Sequence, residues 1–237
     1  AFKAASGGFP KGGNAGFTSV LDADTGELVA ILDDGGWLTE IRTAAASAVS
    51  AALLARPEST SLAILGGGFQ AAFQVAALRE AFMLSDVRSW SRSAATRQRF
   101  AAENDTRAMD TVAEAVAGAD IVICCTSARE PVLHASVLAP GTHVVAMGSD
   151  MLGKRELADD VLESADVVVA DSVDVTSRVG ELAHVPSAAV RAVELGDVLT
   201  GRAAGRTSAT QVTVSDHCGL GLQDAAMAQL VMKGINR

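Results

Sequence analysis

The apolar positions change period along the chain. Over residues 16–32, Phe17–Leu21 and Leu28–Leu32 read as strands. They are joined by Asp22-Ala23-Asp24-Thr25-Gly26, whose Asp and Gly suit a turn, so a β-hairpin is predicted. A second turn follows at Asp33-Asp34-Gly35-Gly36. From Leu38 the spacing becomes helical. Leu38, Ile41, Ala45, Val49 and Ala52 recur at i, i+3 and i+4, predicting a helix over 38–54 that Pro57 stops.

Short apolar runs then alternate with helical stretches. Leu62–Leu65, Val87–Trp90, Ile121–Thr126, His143–Met147 and Val167–Ala170 read as buried strands. Phe69–Ala81, Ser93–Asn104 and Thr111–Gly118 read as helices. This alternation implies right-handed βαβ units and a parallel sheet covered on both faces. The tail differs again: Gln211–Val214 is strand-like, Asp216–Gly221 a loop and Leu222–Met232 a helix. The expected architecture is α/β. A Rossmann-type doubly wound parallel sheet spans 57–216, and residues 1–56 and 217–237 form a second, partly truncated α+β domain.

Composition narrows the function classes. Of 237 residues, 49% are hydrophobic and 20% charged, a globular balance. Against 28 acidic side chains stand 19 basic ones, a formal charge of −9. A nucleic-acid binder would carry a basic face, so no nucleic-acid partner is expected. A local basic pocket on an acidic protein remains compatible. Cys124, Cys125 and Cys218 form no disulfide framework and no Cys/His cluster. A reducing cytoplasm and the absence of a metal are the expectations. No apolar run reaches the roughly 18 residues of a membrane span, and no signal peptide is visible. The chain starts Ala1-Phe2-Lys3 in mid-pattern, without Met, and so reads as a fragment.

The chemistry begins at Gly66-Gly67-Gly68-Phe69-Gln70-Ala71, a GxGxxA sequence between a predicted strand and a predicted helix. Gly66 permits a tight turn. Gly68 lets the backbone approach a pyrophosphate, and Ala71 lets helix and strand pack closely. The helix start at Phe69 and Gln70 offers N–H groups and partial positive charge to phosphates. The plain alternative is a glycine-rich turn in an ordinary α/β protein. The order strand, loop, helix, second strand favours a dinucleotide.

That second strand ends Trp90-Ser91-Arg92-Ser93, about 25 residues past Gly66. An NAD site usually carries Asp or Glu here for the ribose 2′-hydroxyl. None is present, whereas Arg92 with Ser91 and Ser93 can bind a 2′-phosphate. The expectation is NADP(H) in preference to NAD(H), the latter still possible; a solvated Arg92 at a helix start is the alternative. Thr126-Ser127 and Met147-Gly148-Ser149-Asp150 close further predicted strands, whose carboxyl ends are where such sheets bind ligands.

Several stretches in order resemble the ornithine cyclodeaminase/mu-crystallin family. They are Asp24-Thr25-Gly26, Leu38-Thr39-Glu40-Ile41-Arg42-Thr43-Ala44-Ala45-Ala46-Ser47, the Gly66–Gln70 loop, Gly153-Lys154-Arg155-Glu156-Leu157 and Ser215-Asp216-His217-Cys218-Gly219-Leu220-Gly221-Leu222-Gln223-Asp224. The Leu-Thr-x-x-Arg-Thr-Ala-Ala segment is the most specific. The resemblance implies a homodimer in which one domain carries dimer contacts and substrate groups and the other is the Rossmann domain. It also implies that an opening portion of the substrate domain, roughly 60 residues by family length, is missing.

The resemblance further implies three chemical positions. Lys3 matches a lysine that precedes a Pro-containing loop, here Phe9-Pro10. The segment Lys3–Pro10 is one residue longer than in many relatives. Arg42 matches an arginine that holds the substrate carboxylate. Asp216 matches an aspartate in a late loop usually written Phe-Asp-Ser; here it reads Ser215-Asp216-His217. By chemistry, Arg42 offers a fork for a carboxylate, Asp216 can move a proton at a substrate amine, and Lys3 can bind the carboxylate or polarise an imine. Each has an ordinary alternative: a surface arginine, a loop-capping aspartate, a solvated lysine. His217 beside Asp216, and Cys218 as a nucleophile, are weaker candidates.

The expected activity is hydride transfer between NAD(P)H and a small α-imino or α-amino acid, with Lys3, Arg42 and Asp216 as catalytic residues. The alternatives are an ornithine cyclodeaminase, which recycles the hydride and releases ammonia, and a dinucleotide-binding mu-crystallin-like protein without turnover.

Overall fold

The computed structural model describes residues 1–7 and 14–235. The Phe9-Pro10 loop and the comparison of its length therefore lie outside the described residues. The chain separates into two compact units, residues 1–46 with 219–237 and residues 47–218. The expected division at 56/57 and 216/217 thus differs by ten residues at the first boundary, which falls inside a helix.

In the first unit, β1 (Phe2–Gly7), β2 (Asn14–Leu21) and β3 (Leu28–Asp33) form an antiparallel sheet in that order. Asp22 closes the β2–β3 turn, accepting from Asp24 N at 2.9 Å and Thr25 N at 2.8 Å. Gly26 supplies the positive φ of 73° that this turn needs. The helix α1 (Trp37–Leu54) starts in this unit, after Asp34 accepts from Leu38 N.

The second unit begins within α1 and continues through β4 (Ser61–Leu65), α2 (Phe69–Ala81), β5 (Asp86–Trp90), α3 (Ala94–Asn104), β6 (Arg107–Ala108), α4 (Val112–Val116), β7 (Ile121–Cys124) and β8 (His143–Ala146). It then runs through α5 (Asp159–Ser164), β9 (Val167–Ala170), α6 (Val173–Val179), α7 (Pro186–Arg191), β10 (Val193–Glu194), α8 (Leu195–Leu199) and β11 (Thr213–Asp216). The last helix, α9 (Gly221–Ile235), belongs to the first unit and packs on β1 and β2.

The described strands β4 to β11 form one parallel sheet, ordered β10-β9-β11-β8-β7-β4-β5-β6. Alternate residues feed two cores, as a sheet buried on both faces requires. Ala63 and Leu65 of β4, with Val122 and Cys124 of β7, meet α4, α5 and α7. Leu62 and Ile64, with Ile121 and Ile123, meet α1, α2 and α3. The expected fold class is therefore the observed one.

Three differences stand out. β1 was not predicted. Strand β11 includes Asp216, which had been read as loop. It also inserts between β8 and β9, a long-range parallel pairing that local periodicity does not encode. Strand order reverses at β4, which has β5 on one side and β7 on the other. A sheet of this kind opens its crevice for ligands at that point, outside the carboxyl ends of the strands.

Candidate functional site

At the carboxyl end of β4, Gly66 has φ +141°, a conformation that L side chains avoid. A Cβ there would lie 2.7 Å from Cys125 O and 2.9 Å from Cys125 Sγ. Gly66 N–H donates to Trp90 O at 2.8 Å, tying the loop to the end of β5. Gly67 is closely packed as well. Its Cβ would meet Thr96 Cγ2 at 2.9 Å and Ser91 Cβ at 3.2 Å, although the GxGxxA pattern leaves this position open. Around a Cβ at Gly68 there is open space, room for a ligand against the backbone. Gly68 is the N-cap of the thirteen-residue α2 and makes no side-chain cap bond of its own. Ala71 is fully buried against the sheet. The cradle fits a diphosphate.

Around it, the polar residues split by what they offer. Ser91 is buried and its hydroxyl donates to Ser93 O at 3.1 Å. Ser93 caps α3, accepting from Thr96 N at 3.3 Å. Thr126 Oγ1 accepts from Ala128 N at 3.1 Å, and Ser149, 1% exposed, donates to Lys154 O at 3.0 Å. These hydroxyls shape their own turns. Arg92 and Ser127 are exposed, and Arg92 forms no ion pair among the described residues.

In the first unit the structure brings Lys3 and Arg42 together. Lys3 Nζ donates to Asp224 Oδ1 at 2.8 Å, and Arg42 Nε donates to the same oxygen at 3.1 Å. Arg42 also donates through a terminal nitrogen to Gln223 Oε1 at 3.2 Å. Gly219, at φ +83°, leaves space for the guanidinium, since a Cβ there would lie 2.6 Å from one terminal nitrogen. Asp224 and Gln223 were quoted within the family stretch without a role. Their signal was an acidic residue in the first turn of the last helix, too common to single out.

Asp216 lies in the second unit and differs from its expected character. It ends β11 with no exposed surface, and Oδ2 accepts from Leu182 N–H at 3.0 Å. Burial pushes its pKa well above the ordinary carboxylate range, the bond from Leu182 pulls it down, and the Glu181 charge adds to the rise. His217 beside it is buried too, and burial lowers its pKa. His143 in β8 is wholly buried, with Nδ1 2.9 Å from Thr213 Oγ1; burial lowers its pKa to about 3. All three are interior groups. Among the described residues no cluster of His, Cys, Asp or Glu is arranged to hold a metal, and no helix is long and apolar enough to cross a membrane.

A parallel sheet wound on both faces, with a glycine cradle and a helix start at its topological switch point, defines a Rossmann-type α/β protein. The model of the ornithine cyclodeaminase/mu-crystallin family matches residues 11–237, and the chain belongs to that family. It is 35% identical to ketimine reductase mu-crystallin of Mus musculus over 214 residues, covering 90% of this chain and 67% of that protein. Among solved structures it resembles an archaeal alanine dehydrogenase dimer with bound NAD, at TM-score 0.87 and 29% identity over 93% of this chain and 71% of the other. It also resembles the iminosuccinate reductase of Paracoccus denitrificans in complex with NAD+, at TM-score 0.84 and 32% identity over 97% and 75%.

Proposed function

We propose that this chain carries an NAD(P)H-dependent oxidoreductase that acts on a small α-imino or α-amino acid. The observation that carries the reading is the convergence of Lys3 and Arg42 on one carboxylate oxygen, that of Asp224. Two cations already arranged around a carboxylate are suited to a substrate carboxylate, and the guanidinium and ammonium retain further N–H donors beyond these bonds. The dinucleotide supplies or accepts the hydride. The Gly66–Gly68 cradle and the α2 amide end hold its diphosphate.

For the proton at the substrate nitrogen, two carboxylates compete. Asp216 has no exposed surface. Asp150 follows β8 directly, is half-exposed and pairs with Lys154 at 2.6 Å. We assign the proton to Asp150, whose side chain is open to solvent, and give Asp216 an interior role. The Asp150→Asn and Asp216→Asn variants test this: the first should lose turnover with dinucleotide binding intact.

Arg92 is exposed just beyond the end of β5, and none of Ser91, Arg92 and Ser93 is acidic, which supports NADP(H) as the preferred cofactor. The NAD bound by the two solved relatives makes titration with both dinucleotides the deciding measurement. The exposed Leu28, Val29 and Ile31 of β3 support a homodimer, checked by light scattering.

A cofactor-consumption screen over cyclic imines and α-keto acids with amines tests the activity. Oxidation of NADPH by a cyclic imine is the expected result. Release of ammonia and proline from ornithine without net absorbance change would make it a cyclodeaminase instead. Binding without turnover of any substrate would leave a mu-crystallin-like binding protein.

A further inference from the structure

Glu156 lies in the segment between β8 and α5, and its side chain has no exposed surface. One carboxylate oxygen accepts from Thr126 N–H at 2.5 Å and the other from Gly148 N–H at 2.7 Å. Thr126 and Gly148 stand two residues beyond the ends of β7 and β8, which are paired neighbours in the sheet. The ladder's last bond between these chains is Met147 N to Cys124 O at 2.9 Å. Beyond it, one carboxylate bridges the two strand ends. The fit leaves no slack: a Cβ on Gly148 would lie 2.2 Å from Thr126 O and 2.6 Å from Glu156 Cδ.

This carboxylate has no cationic partner within ion-pair distance among the described residues. Behind it stands a second acid, Glu181, whose two oxygens accept from Glu156 N at 2.7 Å and Leu157 N at 3.1 Å. Burying an uncompensated carboxylate costs stability, and an apolar contact would serve the fold better. The carboxyl group stands where two strand ends of the candidate dinucleotide site meet.

We propose that Glu156 is a positioning residue for the dinucleotide site, its carboxylate holding the backbone at Thr126 and Gly148 at the spacing that the bound cofactor needs. The proposal rests on the dinucleotide reading above. Both oxygens accept these N–H bonds most strongly when the group is ionised, because a proton on either oxygen makes it a weaker acceptor. Burial pushes its pKa up to about 7, against the pull of the Thr126 and Gly148 bonds, and the Glu181 charge adds to the rise. The titratable groups facing it are Glu181, itself raised by burial, and the Cys124 thiol of β7, which burial and the Glu156 charge keep protonated. Arg155 and His184 act on Glu181 in the opposite sense.

The test is NADH binding, followed by nucleotide fluorescence between about pH 6 and pH 8.5, with the parent chain, Glu156→Gln and Glu156→Asp. NADH avoids the titrating 2′-phosphate of NADPH. The parent should lose affinity about tenfold as pH falls through 7, the loss of one charge-assisted bond. Glu156→Gln should bind about tenfold more weakly at the upper pH and show no such pH dependence. Glu156→Asp should recover part of that dependence. A Glu156→Gln variant with the parent's affinity, or with the parent's pH profile, overturns the proposal. Should that variant not fold, a pH-independent parent affinity overturns it alone. A parent that binds neither dinucleotide at any pH rejects the cradle reading itself, and the proposal with it.

Discussion

In the Gly66–Gly68 loop the arrangement is made by backbone, within a few residues of sequence, and its requirements are spaces that a Cβ would fill. Around Asp224 the arrangement is made by side chains from β1, α1 and α9, brought together across 221 and 182 residues. The first is rigid and local. A Cβ on Gly66 would run into Cys125, and one on Gly67 into Ser91 and Thr96. The second is electrostatic and distant, and a carboxylate of a substrate can compete for its cations. On the proposed function, the first would recognise a constant group, the diphosphate, and the second would admit an exchangeable one.

Substitutions can break this division. Gly66→Ala has the largest expected effect, a loss of dinucleotide affinity on the order of 10²-fold, because it adds φ strain to a clash with backbone. Equilibrium dialysis with NADH and NADPH reads it. Arg42→Ala should lower kcat/KM by about 10²-fold, the worth of charged hydrogen bonds to a carboxylate, while leaving dinucleotide affinity unchanged. Equal losses of both would show that the two regions do not work separately. Arg92→Ala sharpens the comparison within the cradle: the NADPH to NADH affinity ratio should fall about tenfold in paired titrations. Gly67→Ala should cost only a few-fold in affinity, since the nearest atom is a threonine methyl that can shift.

The buried titratable groups set a pH optimum for stability. The raised Glu156, Glu181 and Asp216 contribute stability that is present below their unfolded values and lost as pH rises, for Glu156 through about 7. The lowered His143 and His217 act oppositely. Their contribution is present above the unfolded histidine value of about 6.5 and is lost as pH falls below it. In urea unfolding the Glu156 contribution should fall between about pH 4.5 and about pH 7, and Glu156→Gln should remove that part of the slope.

The strands β4, β5, β7, β8 and β9 and the helix α2 were legible because each is a run of a single period bounded by glycine, proline or polar turns. The cradle was legible because its glycines are consecutive and its context is local. Strand β1 was not, since its residues, Phe2-Lys3-Ala4-Ala5-Ser6-Gly7, show no clean alternation of apolar and polar positions. Nor was Asp224 as a partner of Lys3 and Arg42, because three charged residues far apart in sequence carry no sign that they meet.

By itself, the order of residues determined the alternation of strand and helix, the position of the glycine turn and the family resemblance, all of which depend on neighbours a few bonds away. Only the tertiary structure decided that β11 enters the sheet between β8 and β9, that Asp216 is buried while Asp150 is not, and that Glu156 spans two strand ends. Those outcomes depend on which distant segments exclude water together, a property of the folded chain and not of any segment within it.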